Sequence, residues 1–106
     1  MASFNDKSTV KKIAERYAEL LKEEIDVQSV YLFGSYVKGT NTKDSDIDIL
    51  VVSDSFGDDV IEDRVKLMKI RRKVDYRIEP HPLRSSEFDL SNPFVREVLN
   101  TSIRIM

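Results

Sequence analysis

The residues best suited to chemistry in this chain lie in one short stretch. Gly34-Ser35 is followed, after ten residues, by Asp46-Ile47-Asp48. A hydrophobic run, Val30-Tyr31-Leu32-Phe33, leads into the Gly-Ser pair, and Ile49-Leu50-Val51-Val52 follows the second aspartate. A small, flexible turn thus ends one expected strand, and two carboxylates begin the next. Aspartates two apart on a strand project from the same face. Two such carboxylates repel unless a cation, a base or a proton sits between them. The chemistry this suggests is a metal site beside a pocket for a phosphate.

Each half has a plainer reading. Gly-Ser and Asp-Ser-Asp are also ordinary turn chemistry. Asp44, Asp46 and Asp48 resemble the start of a calcium loop, but Ile49 stands where such a loop needs glycine and Ser55 where it needs glutamate. Strand alternation favours the site: Ile47, Ile49 and Val51 face the core, which sends Asp46 and Asp48 to the opposite, open face. Gly34 and Gly39 bracket the loop, and glycine lets backbone N–H groups approach an anion closely.

A third expected strand, Lys73 to Glu79, offers another carboxylate. Val74, Tyr76 and Ile78 alternate with Asp75, Arg77 and Glu79, and Pro80 is expected to end the run. Asp75 or Glu79 can join Asp46 and Asp48, and three carboxylates on adjacent strands can hold two magnesium ions about 3.5–4 Å apart. The competing reading pairs Arg77 with its carboxylate neighbours. His81, the only histidine, sits in a loop between Pro80 and Pro82. A lone loop histidine is more often a surface or hydrogen-bonded residue than a catalyst.

The elements that position these groups can be read along the chain. Residues 9–23 form an amphipathic helix: Val10, Ile13, Ala14, Tyr17, Leu20 and Leu21 recur on one face, with Ser8 as N-cap. Val27 to Phe33 is the first strand, Tyr36 to Ser45 a polar loop, and Asp46 to Ser53 the second strand. Val60 to about Arg72 is a second helix with a basic end suited to the helix dipole. Residues 80–92 form a loop. Asn92-Pro93 starts a third, short helix, and Ile103 to Met106 adds a final strand. The expected fold is α/β (α+β): a small mixed sheet with helices packed on one face, in one domain spanning residues 1–106.

Composition narrows the function classes. The 106 residues suffice for one modest core. A formal net charge of −2 gives no electrostatic footprint for nonspecific nucleic-acid binding. With no cysteine, disulfides and thiolate metal sites are excluded. No apolar stretch is long enough to span a bilayer, and the N-terminus lacks the apolar region of a secretory leader, so no membrane association and a cytoplasmic location are expected.

In order and spacing, these signals resemble the nucleotidyltransferase superfamily that includes DNA polymerase beta. Leu32-Phe33-Gly34-Ser35-Tyr36-Val37-Lys38-Gly39, then Ser45-Asp46-Ile47-Asp48-Ile49-Leu50-Val51-Val52, is similar to the small members called minimal nucleotidyltransferases, or MNT proteins. Ile78-Glu79-Pro80-His81-Pro82 resembles one branch of them. The resemblance implies that Gly34 and Ser35, with Ser45, hold a nucleoside triphosphate, ATP foremost, and that Lys38 and Lys43 add phosphate contacts. It implies that Asp46 and Asp48 ligate catalytic Mg2+, with Asp75 or Glu79 as the third carboxylate. The implied activity is transfer of a nucleoside monophosphate, AMP, to a hydroxyl acceptor. MNT proteins are often paired, as antitoxins, with a HEPN-domain protein, so such a partner is implied; a homo-oligomer is also open. The alternative is a noncatalytic binding module with the same fold.

Overall fold

The computed structural model describes residues 6–106. The expectation about a secretory leader falls partly on residues 1–5, outside that range. Element order is α1 (Lys7–Glu24), β1 (Val27–Phe33), α2 (Ser35–Lys38), β2 (Ile47–Ser53), α3 (Val60–Arg71), β3 (Ile78–Leu83), a 3-10 turn (Ser85–Glu87), α4 (Pro93–Asn100) and β4 (Ser102–Arg104). Among the described residues, no helix is long and apolar enough to cross a membrane.

The four strands form one mixed sheet in the order β3-β2-β1-β4. β1 runs antiparallel to β2 and to β4, whereas β2 and β3 are parallel, joined through α3. The α1 and α3 helices cover one face. Val10, Ala14, Tyr17 and Leu21 pack there with Leu67 and Ile70 on Val30, Leu32, Ile47, Ile49, Val51 and Ile78. Completely burying each larger aliphatic side chain contributes roughly 1.5–3 kcal/mol, so this layer dominates the fold. The buried Tyr17 hydroxyl donates to the Leu67 carbonyl at 2.8 Å, tying α1 to α3. Burial pushes that phenol's pKa up, against the opposing charge of Arg71.

The sheet and the layer of α1 and α3 are as expected, but the helices do not all pack on one face. Helix α4 packs on the opposite face, where Val95 and Val98 join Tyr31, Leu50, Val52 and Leu83. The even-numbered positions of β2 beyond Asp48 are apolar, so only the start of that face remains for polar groups.

Several boundaries differ from the sequence reading. Asp6, not Ser8, caps α1, accepting from Thr9 N at 2.7 Å. Residues 35–38 form a helical turn instead of the start of a loop. The largest difference is β3. It starts at Ile78, not at Lys73, and continues through Pro80 and Pro82 instead of ending there. The edge position explains this, because a proline that donates no ladder bond is tolerated where there is no strand on the far side. Residues 72–77 form turns instead.

Candidate active site

The site begins with a tight approach between two chain segments. Phe33 ends β1 opposite Asp48 on β2, so the next residue, Gly34, lies beside that carboxylate. Gly34 has φ 87° and ψ −154°, a conformation essentially restricted to glycine. A β-carbon there would overlap Asp48 Oδ2. Glycine is therefore required twice, by the backbone and by the space the aspartate fills.

Ser35 opens α2, a single turn in which the amides of Val37 and Lys38 bond the Gly34 carbonyl at 3.1 and 3.0 Å. Gly39, with φ 80°, closes it and donates to Ser35 O at 2.9 Å. The loop that follows is braced internally. Ser45 Oγ accepts from Thr42 N at 2.8 Å, and the Tyr36 hydroxyl donates to the Ser45 carbonyl at 3.3 Å. The Ser45 hydroxyl thus shapes the loop that delivers Asp46. Lys38 lies 3.9 Å from Glu97 on α4, and Lys43 is an exposed loop residue.

Asp46 is exposed just before β2, and Asp48 is half-buried inside it. Glu79 is the direct register partner of Asp48 on the parallel neighbour β3, and is also half-buried. His81, two residues along β3, has its Nε2 3.3 Å from Asp48 Oδ1. The imidazole sits among aromatic rings, 5.1 Å from Phe33 and 5.9 Å from Phe94 between centroids. A tilted imidazole in that setting is held in one orientation by its neighbours.

Asp75 is placed differently. It precedes β3, and both its oxygens are engaged by Arg77. Oδ1 accepts from the Arg77 amide at 2.8 Å and from Nε at 3.1 Å, and Oδ2 accepts from Nη2 at 3.0 Å. Burial pushes the Asp75 pKa up, but the hydrogen bonds and charge of Arg77 together outweigh it and hold the carboxyl below the usual value. The expected common face of Asp75, Arg77 and Glu79 does not form, because the strand begins only after Arg77.

The fold therefore brings together Gly34, Asp48, Glu79 and His81. Among the described residues, no three His, Asp or Glu side chains gather closely enough to hold a metal by themselves. Sequence reasoning treated His81 as a loop residue and passed over Phe33 and Phe94 at the site. The signal for His81 was present: Glu79, His81 and Leu83 keep strand alternation straight through the two prolines.

A glycine turn pressed on the first carboxylate of an inner strand, on a mixed sheet backed by two helices, defines a polymerase beta-like nucleotidyltransferase. The chain belongs to the nucleotidyltransferase domain family, matched over residues 10–101, as one of its minimal members and an enzyme of that class. It is 34% identical over 67 residues to a provisionally named protein adenylyltransferase of Methanocaldococcus jannaschii, covering 63% of this chain and 67% of that protein. A crystal structure of a toxin–antitoxin with AMP-PNP superposes with TM-score 0.65 at 28% identity, over 87% of this chain and 72% of that one. A Shewanella oneidensis complex, a tri-AMPylated HEPN toxin with its MNT antitoxin, shares the fold. It superposes with TM-score 0.61 at 24% identity, over 91% of this chain and 71% of that one.

Proposed function

We propose that this protein is a cytoplasmic, Mg2+-dependent nucleotidyltransferase. It moves AMP from ATP to a hydroxyl on a partner protein, and that partner is a HEPN-domain protein it restrains as an antitoxin. The observation that carries the reading is the contact between Gly34 and Asp48, which fuses the Gly-Ser turn and the Asp-x-Asp strand into one site. The relative named as a protein adenylyltransferase and the AMP-PNP-bound toxin–antitoxin support the nucleotide and the protein acceptor.

The donor set suits magnesium. Carboxylate oxygens are hard ligands, and magnesium is commonly held by one or two carboxylates plus substrate phosphates, not by an all-protein cage. Asp46 and Asp48 would hold the ions, with Glu79 favoured over Asp75 as the third carboxylate. The strand register supports that order, since Glu79 pairs with Asp48 while Asp75 is committed to Arg77. When bound, the ions supply positive charge at the phosphates and ease deprotonation of the acceptor hydroxyl.

The chain's own residues bind and orient. Gly34 leaves the backbone open to the triphosphate, with Ser35 adding a hydroxyl donor and Ser45 shaping the loop beside it. His81 steadies Asp48 from the far side. The acceptor oxygen then forms its bond to the α-phosphorus as the bond to the pyrophosphate oxygen breaks. The hydroxyl proton passes to solvent.

The test is incubation with α-labelled ATP, magnesium and the HEPN-domain protein. Label should move to the HEPN protein, with pyrophosphate released, and Asp48→Asn should abolish both. No transfer by the unaltered chain, or equal transfer by Asp48→Asn, overturns the reading.

A binding-only role is the second reading, favoured by the engagement of Asp48 with His81. It expects ATP binding without pyrophosphate release, and a partner still neutralised by Asp48→Asn.

A further inference from the structure

Asp46 and Asp48 are two residues apart but are held in different ways. Asp48 lies inside β2, with a register partner on each side, Phe33 on β1 and Glu79 on β3. Asp46 is exposed and precedes the strand, whose register pairs begin only at Ile47. Its geometry therefore depends on the two peptide units that flank it. On one side, the Ser45 carbonyl accepts from the Tyr36 hydroxyl at 3.3 Å. On the other, the Ile47 amide donates to the Arg77 carbonyl at 2.8 Å. The two ties converge, because Arg77 Nη1 donates to the Tyr36 hydroxyl oxygen at 3.4 Å. Both peptide units around Asp46 thus lead to Arg77, one through its backbone and one through its side chain.

The brace is itself anchored. Asp75 accepts from the Arg77 amide, Nε and Nη2. Arg71 Nη1 donates to the carbonyls of Tyr76 and Ile78, on either side of Arg77, at 3.2 and 2.9 Å. The Tyr36 ring is buried in the layer beneath the sheet, which leaves its hydroxyl little freedom. A phenol hydroxyl donates one proton and accepts on its oxygen, so it can serve Ser45 and Arg77 together. A cationic donor on that oxygen polarises the O–H and strengthens the onward bond.

We propose that Tyr36 and Arg77 are positioning residues that fix the backbone of Asp46 for the metal its carboxylate would hold, a role that rests on the proposed Mg2+ site. A ligand whose backbone is already ordered gives up less conformational freedom when the ion binds. Without the brace, Asp46 would sit at the free end of a polar loop and bind the ion at a greater entropic cost. The two side-chain contacts are long, so each is a modest restraint. They tune the affinity of the site instead of creating it.

Tyr36→Phe keeps the buried ring and removes only the hydroxyl. Two measurements on the full chain test it. The first is amide hydrogen exchange by NMR, which needs neither metal nor nucleotide. The Ile47 amide should exchange about fivefold or more faster in Tyr36→Phe, while that of Leu50, deeper in β2, is unchanged. The second is titration with Mn2+, read by its electron paramagnetic resonance, in the presence of a nonhydrolysable ATP analogue. Tyr36→Phe and Arg77→Met should each raise the Mn2+ dissociation constant by about three- to tenfold. The double variant should lose less than the product of the two single losses, because both act through one hydroxyl. Unchanged Ile47 exchange, unchanged Mn2+ affinity or a fully multiplicative double loss overturns the brace while leaving the metal site standing. A variant with fewer Mn2+ sites of unaltered affinity also overturns it, since that is simple destabilisation. An unaltered chain that binds no Mn2+ overturns the metal site and the brace's role with it.

Discussion

Asp48 Oδ2 occupies the space in which a side chain at position 34 would begin. The turn that ends β1 and the carboxylate inside β2 therefore form one packed unit. Gly34→Ala should introduce both a disallowed backbone conformation, costing about 1–3 kcal/mol, and a collision with that carboxylate. We expect the melting temperature to fall by about 5–15 °C. Pyrophosphate release should fall more than about 100-fold. Calorimetry and a release assay check the two effects separately; full turnover in a folded variant would contradict the coupling.

Glu79 and Asp75 are separated by the strand boundary. Glu79→Gln should reduce turnover by about 100-fold or more, as expected for losing a charged group at a developing-charge site, while leaving stability nearly unchanged. Asp75→Asn should do the reverse, lowering stability with less than about tenfold loss of turnover. Parallel measurement of urea midpoints and turnover distinguishes them, and a larger catalytic loss for Asp75→Asn would exchange the two assignments.

His81 contributes packing and a polar contact that can be pulled apart. His81→Phe keeps an aromatic ring between Phe33 and Phe94 but removes the partner of Asp48. If Asp48 holds the metal as proposed, loss of its orienting hydrogen bond should cost about 10–100-fold in turnover, with the fold intact. A variant that loses stability but keeps full turnover would show that the ring serves packing alone.

The Asp75–Arg77 pair predicts a pH dependence of stability. The Asp75 pKa is lowered in the folded state from its ordinary 3.8. Its contribution is therefore complete above the unfolded value and lost as pH falls through the lower folded one. Arg77→Met removes the side-chain hydrogen bonds and the charge, leaving only the bond from the backbone amide. The stability gap between the two proteins should be widest near neutrality and should narrow below about pH 4. Urea midpoints across that range measure it, and a gap that is constant with pH would assign the pair no electrostatic role.

Much of this molecule is legible from local pattern. The three-four spacing of Val10, Ala14, Tyr17 and Leu21 fixes the buried face of α1, and Asn92-Pro93 marks the start of α4, where Asn92 Oδ1 accepts from Phe94 N at 2.9 Å. The limits of β1 match the expected strand, Val27 to Phe33. The β3 strand was misread because proline is judged a strand breaker without knowing whether the strand has a neighbour on both sides. The partner of Asp75 was legible as an alternative, since Arg77 is only two residues away.

The sequence by itself determined the inventory: a Gly-Ser turn, an Asp-x-Asp pair ten residues on, and the strands that carry them, because alternation and turn chemistry are local properties. Only the tertiary structure decided which groups meet. Asp48 lies against Gly34 because β1 and β2 pair antiparallel, and beside Glu79 and His81 because β3 pairs in parallel at the sheet edge. Register between strands is set by the packing of two faces at once, by α1 and α3 below and α4 above. That is a property of the whole chain, which no single segment carries.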